Sequence, residues 1–268
     1  MYTREDMIAQ LRAMNAPQDG VVLMHCSLRS VGEIEGGAKA FLDTVIDYFT
    51  AKGGLLCIPT HTWDNLGKDI PTLDLNKAES NLGYLTQLAA GDARAVRTEN
   101  PTHSMAIFGE REKALAFARG EESISSPIAP ESCYGKLYHE GGKILLCGTG
   151  QERNTYLHTA EELAGVKGRM LAEKSPVTVL KKDGVLETRH LHLFNETNGD
   201  VSLRFPKYEL AFRYHRAITD GFIGDAPTQL CDARIMKQVV EMIYKNGGDP
   251  LADEEQIPPA LYCKTRHR

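Results

Sequence analysis

A single histidine stands out near the middle of the chain, in the segment "QERNTYLHTAEE" at residues 151–162. His158 and Glu161 are three residues apart, so a helix capped near Asn154 would carry both side chains on one face. A carboxylate at that spacing can orient an imidazole and stabilise its protonated form, as a general base requires. Amphipathic helices also contain such pairs by chance. The spacing therefore indicates either a catalytic base or an ordinary helix surface.

Polar side chains also gather at the ends of apolar runs. In "HCSLRSVG", Ser27 and Ser30 follow a strand-like run, where hydroxyls and free amides suit phosphate oxygens or merely satisfy turn and cap groups. If the runs are parallel strands, their polar ends meet at one edge of the sheet. A loop role and a substrate contact both remain open for His61. Two further segments, "PTHTWD" and "NPTHSMAIFG", contribute Thr60, His61, Trp63 and Asp64, and then Thr102, His103 and Ser104.

Metal chemistry has weaker support in the sequence. His190 and His192 alternate on a predicted strand and so share a face, but no third ligand follows at a diagnostic spacing. The six cysteines form no CxxC pair, and several lie in apolar runs as small buried side chains do. We predict no metal site and a reducing compartment.

Short apolar runs alternate with helical periodicity in the first part of the chain. "GGAKAFLDTVIDYF" has apolar residues at the spacing of one helix face, between two strand-like runs. This β-α-β order predicts parallel strands in a sheet that helices cover. The predicted strands are "GVVLMH", "GGLLCIP", "HSMAIFG" and "GGKILLCG".

The later chain predicts a hairpin and two helices. "SPVTVLKKDGVLETRHLHLF" reads as two strands joined at Asp183-Gly184, a pair suited to a tight turn. Helical windows follow around Tyr208–Asp220 and Ala233–Asn246, and the aperiodic loop Trp63–Asn81 is a candidate substrate loop. With 268 residues, no repeat and no long linker, we expect a mixed α/β sheet in one domain over residues 1–268.

Charge limits the classes of partner. The formal net charge is −5 and the basic residues form no block, which disfavours nucleic acid and anionic membranes and favours an amine. The first residues are charged and helix-periodic, unlike a signal peptide or a membrane span. We expect a cytoplasmic protein.

Several motifs, taken in order, resemble those of a known family. "HCSLRSVG", "PTHTW", "NPTHSMAIFG", "SPIAPESCYGKL", "GGKILLCGTGQERNTYLHTAEE" and "GFIGDA" stand as they do in the aminoglycoside 3-N-acetyltransferase family. The resemblance implies a three-layer α/β/α domain with a mixed, partly parallel sheet and a C-terminal hairpin plus helices. It also implies direct acetyl transfer from acetyl-CoA to an amine without a metal, an aminoglycoside being the first candidate acceptor.

The resemblance also assigns residues. His158 matches the catalytic histidine of the family, and Glu161 matches the acidic residue that follows it. Substrate contacts are expected at Thr60, His61, Trp63 and Asp64. Acetyl-CoA contacts are expected at Ser27, Leu28, Arg29, Ser30, Val31, Thr102, His103 and Ser104.

The acceptor and the assembly stay open. The loop "DNLGKDIPTLDLNKAESNLGYLTQL" departs from the resistance enzymes, and its acids Asp64, Asp69, Asp74 and Glu79 suit either a polycation or ordinary solvation. The alternatives are an N-acyltransferase for another amine, a metal-dependent hydrolase using His61, His190 and His192, and a non-catalytic CoA-binding protein. A homodimer is also compatible with the sequence.

Overall fold

The computed structural model describes residues 1–197, 199–253 and 255–263. A seven-stranded mixed sheet has the order β4-β5-β2-β1-β6-β10-β9, and a separate three-stranded sheet has the order β3-β7-β8. The strands are β1 (Val21–Cys26), β2 (Leu55–Pro59), β3 (Leu73–Asp74), β4 (Val96–Arg97), β5 (Met105–Phe108), β6 (Lys143–Cys147), β7 (Met170–Leu180), β8 (Leu186–Phe194), β9 (Ile218–Ile223) and β10 (Ala226–Asp232).

Helices cover both faces of the large sheet, which confirms the three-layer α/β/α prediction. Successive β1 residues point to opposite faces, so Val22 packs towards α1 to α3 and Leu23 towards α4 to α8. None of the helices within the described residues is long and apolar enough to cross a membrane. The helices are α1 (Arg4–Ala13), α2 (Gly37–Thr50), α3 (Tyr84–Gly91), α4 (Arg111–Ala118), α5 (Cys133–Glu140), α6 (Tyr156–Ala164), α7 (Glu209–Tyr214) and α8 (Ala233–Gly247).

The strand directions bring the polar segments to one edge of the large sheet. β1 pairs in parallel with both β2 and β6, so the carboxyl ends of all three strands meet there, as predicted. β5 runs antiparallel to β2, with Pro59 opposite Met105, and therefore starts where β2 ends. The segment before β5 consequently reaches the same edge as the segments after β1, β2 and β6.

The predicted hairpin is confirmed, but one predicted helix is wrong. β7 and β8 pair antiparallel around Asp183-Gly184, and Gly184 has the positive φ of +86° that the turn requires. The region Tyr208–Asp220 is not one helix, because α7 ends at Tyr214 and β9 begins at Ile218. Arg216 has a left-handed φ of +59°, which ends the helical conformation between these two elements.

Candidate active site

The ends of β2 and β5 form a buried polar floor. The Thr60 amide donates to the Ser104 carbonyl at 2.7 Å, and the Thr62 amide donates to the Thr102 carbonyl at 2.9 Å. The hydroxyls of Thr60 and Ser104 are 2.9 Å apart. Thr60, Thr102 and Ser104 are almost completely buried. They therefore join the two segments to each other beneath the sheet edge.

Two histidines lie on this floor in neutral form. The rings of His61 and His103 are 4.2 Å apart between centroids. His61 Nε2 is 2.7 Å from the Tyr134 hydroxyl, and His103 Nδ1 is 2.8 Å from the Thr102 hydroxyl. Burial lowers the pKa of His103 to about 3 and lowers the pKa of His61 well below its usual value. Both rings are therefore uncharged at neutral pH.

His158 enters the same cleft from α6. The helix begins at Tyr156 with Thr155 at the N-cap position, so Asn154 is not the cap. The Asn154 side chain is buried and donates instead to Gln151 Oε1 at 2.9 Å. The His158 ring contacts Phe194 at the end of β8 and Phe205 of a 3-10 helix, with centroid distances of 4.6 Å and 4.7 Å.

The His158 imidazole carries an unprotonated nitrogen at neutral pH. Burial lowers its pKa to about 4, while the negative charge of Asp200 raises that pKa and the positive charge of Arg169 lowers it. Its Nδ1 is buried and has no hydrogen-bond partner among the described residues. The charge of His158 also contributes to the lowered pKa values of His61 and His103, which places the three rings in one electrostatic unit.

Glu161 does not make the expected contact with His158. Its two carboxylate oxygens accept hydrogen bonds from Arg169 Nε at 2.7 Å and Nη2 at 2.9 Å, and from the Tyr208 hydroxyl at 3.0 Å. Arg169 also donates to both carboxylate oxygens of Asp249. Residues three apart share a helix face only approximately, and the nearby guanidinium is the stronger partner.

The Ser27 to Val31 segment forms a 3-10 turn directly after β1. The Ser27 amide donates to the Cys147 carbonyl at 2.9 Å, and the hydroxyls of Ser27 and Ser30 are 2.9 Å apart. Gly148 permits this packing, because a Cβ atom there would overlap the side chain of Ser30. Arg29 is exposed, whereas Val31 is fully buried. The turn therefore presents a guanidinium and main-chain amides beside the end of β6.

The remaining predicted substrate residues lie outside the buried floor. Trp63 and Asp64 are exposed in a short 3-10 turn, and the Trp63 side chain is 41% exposed. Asp74 of the same loop is buried, and its Oδ1 accepts a hydrogen bond from the Asn76 amide at 3.0 Å. This acid stabilises the loop itself.

The structure does not bring together the ligands of the hydrolase alternative. His190 is exposed on β8, and His192 Nδ1 is 2.9 Å from the Leu171 carbonyl. In the three described ranges of the chain, no group of three or more histidine, cysteine, aspartate or glutamate side chains has the arrangement of a metal site.

Sequence reasoning missed the aromatic surroundings of His158. Phe194 lies two residues after His192 and so shares its strand face, a period that was readable from "HLHLF". Phe205 and Asp200 belong to a segment between β8 and α7 for which no periodicity predicted a position. Tyr134 lies within "SPIAPESCYGKL", but its contact with His61 depends on the packing of α5 against the sheet edge.

Comparison with known proteins points to one family. The family model described as aminoglycoside 3-N-acetyltransferase matches residues 23–245. The chain is 27% identical over 258 residues to aminoglycoside N(3)-acetyltransferase VII of Streptomyces paromomycinus, which covers 87% of this chain and 88% of that relative. It is 23% identical over 222 residues to the acetyltransferase-like protein YokD of Bacillus subtilis, with 76% and 80% coverage.

Solved structures share the fold. A structure of AAC-IIIb with CoASH superposes with a TM-score of 0.78 at 22% identity, over 93% of this chain and 98% of that one. A histidine-to-alanine variant of AAC(3)-IVa in complex with a gentamicin gives a TM-score of 0.77 at 23% identity, over 98% and 94%.

Proposed function

Because the chain belongs to the aminoglycoside 3-N-acetyltransferase family, we propose that it acetylates an amino group of an aminoglycoside directly, with His158 as the general base. The protein is an acyltransferase that uses acetyl-CoA. The observation that carries the proposal is a neutral imidazole at the sheet edge where the turn after β1 and the floor after β2 meet. Such a ring has a lone pair ready for a proton at neutral pH.

The proposed transfer is a single displacement at the thioester carbon. The amine nitrogen forms a bond to the carbonyl carbon and becomes strongly acidic, and His158 accepts its proton. The carbon–sulfur bond then breaks, and the CoA thiolate leaves with the electron pair. The imidazolium returns the proton to that thiolate, so His158 ends neutral. No acyl-enzyme is formed.

The turn after β1 would stabilise the developing oxyanion. The amides of Ser27 and Ser30 are already bonded to the carbonyls of Cys147 and Ser27. The Leu28 and Arg29 amides lie in the first turn of the 3-10 helix, where intrahelical partners are lacking. One well-placed donor of this kind contributes about 3 kcal/mol to transition-state stabilisation. The exposed Arg29 side chain is suited to a CoA phosphate.

The decisive experiment compares His158→Ala with the unmodified protein in a thiol-release assay. Acetyl-CoA would be supplied together with gentamicin or sisomicin as acceptor. We expect kcat to fall roughly 100- to 10,000-fold, because a positioned general base contributes that much. Calorimetry should show unchanged CoA binding in the variant, since the proposal gives His158 no role in holding CoA.

His190→Ala is the matched control, because His190 is exposed on β8 and has no proposed role. Its kcat should equal that of the unmodified protein. Full turnover by His158→Ala would overturn the assignment of the base. Transfer to other amines but to neither aminoglycoside would retain the chemistry and change the acceptor, an outcome that the divergent loop at residues 63–81 makes worth including.

A further inference from the structure

The groove that holds His158 continues along α6 into a separate cavity. His158 and Glu162 are four residues apart on α6, and Phe194 and His192 are two residues apart on β8, so each pair shares a face of its element. His158 packs against Phe194 at one end of the groove. At the other end, a cavity of about 290 Å³ is lined by residues that include Ser126, Glu162 and His192.

Glu162 lies in this cavity as a partly buried carboxylate without a cation. Its two oxygens accept hydrogen bonds from the Ser126 hydroxyl at 3.0 Å and 3.3 Å. Within the described residues, no lysine or arginine nitrogen lies within ion-pair distance of it. Burial raises the pKa of Glu162, as expected for a carboxylate that lacks a full set of charged partners. A bound ammonium group would supply the missing counter-charge.

The other charges around the cavity also favour a cation. Arg169 is shared between two carboxylates, Glu161 and Asp249, so it adds no net positive charge. Glu131 accepts a hydrogen bond from Ser125 at the cavity wall and contributes a further negative charge. Lys167 is exposed at the rim, and His192 is bonded to the Leu171 carbonyl. Carboxylates therefore outnumber cations here.

We propose that Glu162 and Ser126 form a subsite for a second ammonium group of the acceptor. The inference rests on the proposed function, which places the reacting nitrogen at His158. Side chains four residues apart on a helix are about 5–6 Å apart at their Cβ atoms, so the subsite selects a di- or polyamine with roughly that spacing. Glu162 would then fix the position of the acceptor without taking part in proton transfer.

Glu162→Gln tests the subsite, because glutamine keeps the shape and the bond to Ser126 but removes the charge. With gentamicin as acceptor, we expect KM and the calorimetric Kd to rise about tenfold while kcat stays within about twofold. Cyclohexylamine has only one nitrogen, so its kcat/KM should be the same in both proteins. Glu140→Gln makes the same chemical change at an exposed carboxylate on α5 and should leave all values unchanged.

Binding and turnover separate this inference from the proposed function. If gentamicin binds Glu162→Gln as tightly as the unmodified protein, the subsite is wrong, whatever the turnover. If the unmodified protein binds it about tenfold more tightly than the variant but transfers no acetyl group, the subsite stands and the proposed function fails. Absence of polyamine binding to the unmodified protein would also overturn the subsite.

Discussion

The phenyl rings around His158 control its charge. Burial between Phe194 and Phe205 keeps the imidazole neutral and lowers its pKa to about 4. Phe194→Ala would admit water to one side of the ring, and we expect the His158 pKa to rise towards its ordinary value of 6.5. An acid limb controlled by His158 would then appear in kcat/KM near pH 6, whereas the unmodified protein should show none from this ring above about pH 5. NMR titration of the histidine ring protons measures the same shift directly.

Phe222→Ala is a suitable control for this change, because Phe222 is an exposed phenylalanine on β9. It should leave the His158 titration unaltered. A His158 pKa near 6.5 in the unmodified protein would contradict the argument that burial sets its charge.

At this scale the sequence predicted a residue better than its contacts. The motif around His158 was recognisable because its residues are consecutive, and the structure places the ring in the expected cleft. The partner of Glu161 was wrong because Arg169 lies beyond the end of α6, after the chain has turned at Gly165. No periodicity within a helix reports a contact made after that helix has ended.

A buried ionic network connects the elements that carry the site. Arg169 lies just before β7 and bonds to Glu161 on α6 and to Asp249 after α8. Arg169→Met would leave the fully buried Glu161 without its cation, and we expect the free energy of unfolding to fall by about 3 kcal/mol. Combining it with Glu161→Met removes both buried charges, so the double variant should recover much of this loss. Urea unfolding of both variants provides the measurement.

Arg213→Met serves as the comparison, because Arg213 pairs with Asp220 and Glu209 in a more exposed position. It should cost less than about 1 kcal/mol. A double variant that is as unstable as the sum of its two single variants would refute coupling between Glu161 and Arg169.

Among the elements, those with a continuous pattern were predictable. The period of α2 and the apolar runs of β1, β2, β5 and β6 gave their positions, because these elements bury a regular face. β9 was mistaken for helix because it is an edge strand whose polar residues are exposed at irregular intervals. β3 has only two residues and depends on pairing with β7, so its own sequence contains too little pattern.

Across the whole molecule, buried neutral histidines make stability depend on pH. Burial lowers the pKa of His25 to about 4, of His103 to about 3 and of His158 to about 4, from an ordinary value of 6.5. The unfolded chain therefore binds more protons than the folded protein between about pH 6.5 and pH 4, and the free energy of unfolding falls as the pH falls. Buried carboxyls with raised pKa values, such as Glu121, act in the opposite direction and offset part of the loss.

His25 allows this dependence to be tested away from the proposed base. It is buried near the end of β1, and its Nε2 has no hydrogen-bond partner among the residues that the structure describes. His25→Gln removes one titrating group, so the slope of unfolding free energy against pH should decrease by up to about 1.4 kcal/mol per pH unit. Urea unfolding at a series of pH values between 6.5 and 4 measures that slope. His190→Gln alters an exposed histidine and should leave the slope unchanged; equal slopes in all three proteins would mean that burial of His25 does not control its protonation.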